Sequence, residues 1–126
     1  NLEQGERLAG ELGDQALFLR QDVSDPADWQ ALAALVRERF QRLDVLVNNA
    51  GVLIPGSIEE ATLEQWHRLL RINADSVFLG CQTAVALMKD AGGGSIFPAR
   101  SRVTSNRCAA SGRSRRWWSG RSATVR

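Results

Sequence analysis

Leu43-Asp44-Val45-Leu46-Val47-Asn48-Asn49-Ala50-Gly51 decides the fold class. An apolar run that passes straight into amide and small side chains reads as a buried parallel strand ending in a turn. Upstream, Ser24-Asp25-Pro26 supplies capping side chains and a proline at the first turn, and Trp29, Leu32, Leu35, Val36 and Phe40 recur at helical spacing. That predicts a helix of about four turns, long enough for a right-handed crossover. Before it, Ala16-Leu17-Phe18-Leu19-Arg20-Gln21-Asp22-Val23 is apolar and free of breakers, so it is expected to be the preceding strand of a β-α-β unit. Leu2, Leu8 and Leu12, followed by Gly13, mark the end of an amphipathic helix ahead of it.

Downstream, after a loop through Pro55 and Gly56, Thr62-Leu63-Glu64-Gln65 has the form of a capping box and opens a helix carrying Trp66, Leu69, Leu70 and Ile72. A long helix is expected from Ala74 to Met88, with Val77, Phe78, Cys81, Val85 and Met88 on neighbouring faces and Gly92-Gly93-Gly94 as its stop. Ser95-Ile96-Phe97 begins a further strand. Strands alternating with helices imply an α/β fold, a parallel sheet covered on both faces. Trp29, Trp66 and Cys81 fit core or rim packing, His67 a solvated helix face, and Lys89 a helix C-terminus that favours a cation.

The 126 residues suit one core, and 44% hydrophobic with 24% charged residues is ordinary for a globular chain. No apolar run approaches the roughly 18 residues of a membrane span, so no membrane association is expected. Asn1-Leu2-Glu3-Gln4 shows neither a basic region nor an apolar segment, and is read as carrying no targeting signal. Two cysteines, Cys81 and Cys108, without metal-ligand spacing, suggest a reducing cytoplasm and no metal site. The net charge of +2 conceals a division: residues 1–90 hold all 14 acids against 8 bases, whereas residues 91–126 hold 8 arginines and no acid. Leu and Ile also stop at Ile96. The chain therefore reads as residues 1–97, a partial α/β domain, followed by residues 98–126, an arginine-rich tail.

Ligands of open parallel sheets sit outside the carboxyl ends of the strands, and both expected strands end in polar or small residues. Asp22 can accept from an exocyclic amine, and Ala50 and Gly51 allow a flat ligand near the backbone. Equally, Asp22 can merely begin the Ser24-Asp25 cap, Asn48-Asn49 can merely form a turn, and Asn73 can be the N-cap of the long helix.

In combination, Asn48-Asn49-Ala50-Gly51 lies 26 residues after Asp22-Val23, and Asn73 lies 22 residues beyond Gly51. This arrangement resembles the short-chain dehydrogenase/reductase family from Asn1 to about Phe97, and within it bacterial 3β/17β-hydroxysteroid dehydrogenases. The resemblance implies the middle of a Rossmann-type doubly wound parallel sheet, without its first strands or its C-terminal half. It implies NAD or NADP as cofactor, an alcohol or ketone substrate, possession of a hydroxysteroid-type reaction by the family, and a homo-oligomer in which the long helix forms half of a four-helix interface. Asp22 and Val23 then match the adenine-holding pair, and Asn48, Asn49, Ala50 and Gly51 the motif that steadies the sheet and borders the adenosine ribose. Asn73 matches the catalytic-tetrad asparagine, which kinks the long helix and holds a water in the proton relay.

Other parts of that pattern are missing. The family's proton donor is a tyrosine in Tyr-x-x-x-Lys, and this chain has no tyrosine and a single lysine, Lys89. No glycine-rich phosphate turn precedes Asn1, and Gly92-Gly93-Gly94 follows a helix instead of opening one. The expectation is an inactive chain with lost or weak cofactor binding. Residues 98–126 admit two readings. Arg115-Arg116-Trp117-Trp118 could bind nucleic acid through phosphate contacts and stacking. The favoured reading is out-of-frame translation of a GC-rich gene, with Arg100 to Val103 and Arg116 to Ser119 standing where valine- and serine-rich codons are read one base late; a tail without fixed structure follows from it.

Overall fold

The computed structural model describes residues 1–98 and the short strand 123–125. Helix α1, Leu2–Leu12, ends at Gly13 as its spacing predicts, and Phe18 abuts Gly5 on its surface. Helix α2, Pro26–Arg39, starts where its signals place it: Pro26 occupies the first turn and the Asp25 carboxylate accepts from the Ala27 N–H at 2.9 Å. Strand β1 is Val45–Asn48. Helix α3, Leu63–Leu70, is opened by the expected capping box, in which the Gln65 N–H donates to Thr62 Oγ1 at 3.2 Å and the Thr62 N–H to Gln65 Oε1 at 2.9 Å.

A π-helical turn, Arg71–Asp75, joins α3 to helix α4, Ser76–Asp90, so that one continuous but irregular helix replaces the separate helix expected from Ala74. The glycine stop then operates: the Gly93 N–H donates to the Met88 carbonyl at 2.8 Å, and strand β2, Gly94–Pro98, follows. Strands β1 and β2 are parallel, with Val45 opposite Ser95 and Asn48 opposite Pro98. Ala84, Met88 and Ile96 form the buried core, flanked by Leu43, Leu46, Cys81 and Val85. Helix α4 packs on both strands and α2 packs on α4, carrying Trp29 into the interior. The fold is α/β and Rossmann-type, and it is partial.

Three expectations are corrected. Residues 16–23 form no strand; they are extended or turning backbone, with Leu17 and Leu19 exposed. An apolar run specifies side-chain faces, but a ladder also needs an aligned partner, and among the described residues none flanks this segment. The parallel crossover therefore runs from β1 through α3 and α4 to β2. Second, the sheet is not covered on both faces among the described residues: Val45, Val47 and Phe97 remain exposed opposite the helices. Third, strand β3, Ala123–Val125, pairs antiparallel with β2, Gly94 lying opposite Val125, so the sheet is mixed and these three tail residues have a defined backbone. The arginine–tryptophan segment at 115–118 and the proposed frame-shifted stretches lie outside the described residues.

Candidate functional site

The segment before α2 is fixed by its own polar groups. Both the N–H and the hydroxyl of Ser24 donate to Asp22 Oδ1, at 2.9 and 2.7 Å, the Asp22 N–H donates to the Asp28 carboxylate at 2.6 Å, and Trp29 Nε1 donates to the Val23 carbonyl at 2.8 Å. Asp22 Oδ2 has no protein donor among the described residues. The Ser24 hydroxyl and then the Ser24 N–H hold the Asp22 carboxyl below its ordinary value of 3.8; desolvation opposes them to a smaller extent, and attraction to Arg71 adds the least. A carboxyl depressed by folding stabilises the fold at pH above its unfolded value, and that contribution disappears as pH falls through the folded value. A side-chain NMR titration is expected to place the Asp22 midpoint below 3.8, and Ser24→Ala to raise it. A midpoint indifferent to Ser24→Ala would contradict the bonding described here.

At the end of β1, Asn48 lies half-buried beneath α4, its Nδ2 donating to Cys81 Sγ at 3.7 Å. Asn49, Ala50 and Gly51 then leave the sheet. Val23, Asn48, Asn49 and Ala50 border a common cavity of about 210 Å³, to which Gln21, Trp29, Leu46 and Ser76 also contribute. Asp22 is not in its wall but joins Gln21 and Val23, which are. Gln21 Nε2 is buried there without a hydrogen-bond partner among the described residues. Such an orphaned donor fits a site that offers a bond to a ligand acceptor.

Asn73 and Gly51 form a second group beside this cavity. Asn73 is not an N-cap: its side chain reaches back to the loop, where Oδ1 accepts from the Val52 N–H and Nδ2 donates to the Val52 carbonyl, both at 2.8 Å. This two-point pairing satisfies the backbone of one residue as a neighbouring strand would. Gly51 lies under the same side chain, and a Cβ there would stand 3.4 Å from Asn73 Oδ1. The π turn is accommodated at Ser76, whose N–H reaches the Arg71 carbonyl while its hydroxyl donates to the Ile72 carbonyl at 2.5 Å. A bulge of this kind marks a helix shaped by a tertiary contact, here Asn73 with Val52.

Sequence reasoning missed Gln21, Ser76 and Val52. The polar Gln21 inside an apolar run was a usable signal; Val52 offered none, because Asn73 bonds its backbone and not its side chain. Trp66, read as core or rim, lies at the rim: it is half-exposed and forms one wall of a larger cavity beside α3. His67 is exposed on α3 and Lys89 lies in the last turn of α4, both as expected. No helix among the described residues is long and apolar enough to cross a membrane.

The family model described as short chain dehydrogenase matches residues 1–112, beyond the expected limit of the resemblance near Phe97. A 3-beta-hydroxysteroid dehydrogenase of Comamonas testosteroni is 52% identical over 92 residues, which make up 73% of this chain and 36% of that relative. An NADP-dependent (R)-specific alcohol dehydrogenase of Lentilactobacillus kefiri is 38% identical over 90 residues, 70% of this chain and 36% of that protein. The crystal structure of a short-chain dehydrogenase from Streptomyces avermitilis superposes with a TM-score of 0.70 at 30% identity, over 78% of this chain and 36% of that one. The chain thus spans about 36% of the length of each of these relatives. A family match that takes in Asp22-Val23, the turn from Asn48 to Gly51 and the asparagine of the π turn leaves one assignment: the chain belongs to the short chain dehydrogenase family.

Proposed function

We propose that this chain forms the adenosine-binding and helix-positioning part of an NAD(P)-linked oxidoreductase acting on a ring-bearing secondary alcohol or its ketone, hydroxysteroids included. The observation that carries the reading is the cavity at the end of β1, where Val23, Asn48, Asn49 and Ala50 converge with an unpartnered Gln21 amide. Its volume of about 210 Å³ is below the roughly 300–1,000 Å³ of a whole-ligand pocket and suits one part of a dinucleotide. The residues fit that group. Asp22, its carboxyl favoured in the ionised form by Ser24 and to a lesser degree by Arg71, has no donor to Oδ2 among the described residues and can offer it to an exocyclic amine. Ala50 and Gly51 present little side chain to a flat ring or a ribose, and Gln21 Nε2 can donate to a ring nitrogen or hydroxyl.

When bound, NAD(P) supplies hydride acceptance or donation. The chain's own part is to hold and orient. Asn73 spends its side chain on Val52, so it acts on the loop that leaves Gly51 and fixes where that loop meets the helix. A water in a proton relay would therefore be held through the backbone of the π turn. On α4, the exposed Phe78 supports a helix-to-helix contact with a second copy, and the paucity of cysteine supports a cytoplasmic setting.

Titration of the 126-residue chain with ADP-ribose, followed by backbone NMR, is the direct test. The signals of Asp22, Val23 and Asn48 to Gly51 are expected to shift together. Asp22→Ala should weaken binding by about tenfold, the loss of one charge-assisted hydrogen bond. Shifts confined to other residues would sink the reading.

A further inference from the structure

Strand β3, Ala123–Val125, lies along the outer edge of β2, and its place in the ladder follows from a bond on the opposite side. The Ser95 N–H donates to the Asp44 carbonyl at 2.9 Å, so Ser95 turns its backbone polar groups toward β1. Because these groups alternate in direction along a strand, Gly94 and Ile96 turn theirs toward β3, where they face Val125 and Ala123. Ser95 and Thr124 form the pair between them that exchanges no backbone bond, and the N–H and C=O of Thr124 point away from β2. We propose that β3 is an edge plug: it takes up the backbone groups of Gly94 and Ile96 and so keeps the β2 strand of a second copy of this chain from pairing there.

The register shows why a second copy is the competitor. In an antiparallel pairing of two β2 strands about a two-fold axis at Ser95, Gly94 of each copy lies opposite Ile96 of the other. The groups satisfied are the ones that β3 satisfies within one chain. Gly94 brings no side chain to obstruct the approach, and from Gly94 to Phe97 the strand has neither charge nor proline, two devices that keep strand edges apart. Apolar surface adds to the attraction, since Phe97 is 42% exposed on the face of the sheet that also leaves Val45 and Val47 uncovered.

Strand β3 is in turn a poor template for further pairing. It is three residues long, and within it only Thr124 directs its polar groups outward. Exchanging the β2 edge for the β3 edge therefore ends the sheet. The plug lies on the margin of the sheet away from the cavity at the end of β1, so it stands or falls independently of the cofactor reading.

Amide hydrogen exchange and sedimentation of the 126-residue chain test the plug. Ala123→Pro combined with Val125→Pro removes the N–H groups that face β2, whereas Thr124→Pro removes one that faces away, a position where an edge strand tolerates proline. In dilute solution the double variant is expected to exchange about tenfold or more faster at Gly94 and Ile96, as loss of the bonds from both residues implies. Ser95 and Phe97, which face β1, should keep their protection. At higher concentration the double variant should sediment as a heavier species than the parent and regain protection at Gly94 and Ile96, while Thr124→Pro follows the parent. Protection at Gly94 and Ile96 that survives in the dilute double variant would show that β3 does not hold this edge. Faster exchange at Ser95 and Phe97 as well would make β3 a brace of the whole sheet, and association without renewed protection would put the contact elsewhere; either result overturns the proposal. So does a Thr124→Pro chain that behaves like the double variant.

Discussion

Supplied with NAD or NADP and a hydroxysteroid, the 126-residue chain is expected to form no reduced cofactor above a buffer control. Removing a hydride from a carbinol carbon leaves a proton on oxygen, and the rate then depends on a group poised to take it. Positioned acid–base catalysis is worth about 10²–10⁴ in rate. The resemblance assigns that step to a tyrosine, and the chain contains none. Its other titratable candidates are badly placed. Lys89 ends α4, His67 sits exposed on α3, and Cys81 is half-buried and receives the Asn48 amide.

Binding does not share this dependence, because the groups proposed to meet adenosine lie on β1 and the turn before α2. The expected pattern is thus dissociated: ADP-ribose shifts at Asp22 and Asn48 to Gly51 without turnover. Absorbance at the reduced-nicotinamide band over hours, at enzyme concentrations matched to cofactor, is the sensitive assay. Reduced cofactor that accumulates with enzyme, and stops on Asn73→Ala, would show that proton transfer proceeds without a tyrosine.

What could be read from the sequence follows the distance over which each interaction acts. Thr62 and Gln65, or Asp25 and Ala27, satisfy one another within three residues, so the starts of α3 and α2 were legible from composition alone. The π turn was not. Nothing in Arg71-Ile72-Asn73-Ala74-Asp75 breaks a helix; the distortion answers a side-chain contact across 21 residues, Asn73 to Val52. Family resemblance supplied the kink where local propensity favoured a cap.

Residues 16–23 show the complementary failure, since side-chain pattern was present and the ladder partner was not. In the same way Ala123–Val125 pairs with β2 within a tail whose composition predicted no structure; three residues can join an existing edge without burying a core of their own. Of the cavity at the end of β1, Asn48, Asn49 and Ala50 were legible as a strand end and Val23 from its place before the α2 cap, whereas Gln21 and Ser76 enter through burial that only the tertiary packing of β1, α2 and α4 creates.

That packing converges on Gly80, and Gly80→Val is expected to be the most damaging single substitution in the helices. Gly80 is buried on α4 between α2 and β1. A Cβ at this position would collide with Asn48 Oδ1 and stand 2.9 Å from Trp29 Cη2. Neither neighbour moves freely. Trp29 is 6% exposed and tied to the Val23 carbonyl through Nε1, and Asn48 is held by the β1 backbone and by Cys81. Replacing a helix-interior glycine ordinarily stabilises by up to about 1 kcal/mol, with valine gaining less than alanine. Overpacking a fitted interior costs about 1–3 kcal/mol or more, so the steric effect wins. For a domain of this size each kcal/mol lowers Tm by about 4–8 °C. The displaced groups are those that set Val23 and the Asn49–Gly51 turn, so ADP-ribose affinity should fall along with Tm. Gly10→Ala is the matched control: it lies on exposed α1 with nothing within 4 Å of a Cβ, and should stabilise by about 0.5–1 kcal/mol while leaving affinity unchanged. A Gly80→Val chain that melts no lower than the parent would mean that α2, α4 and β1 do not meet at this residue, and the cavity proposed for adenosine would lose its structural basis.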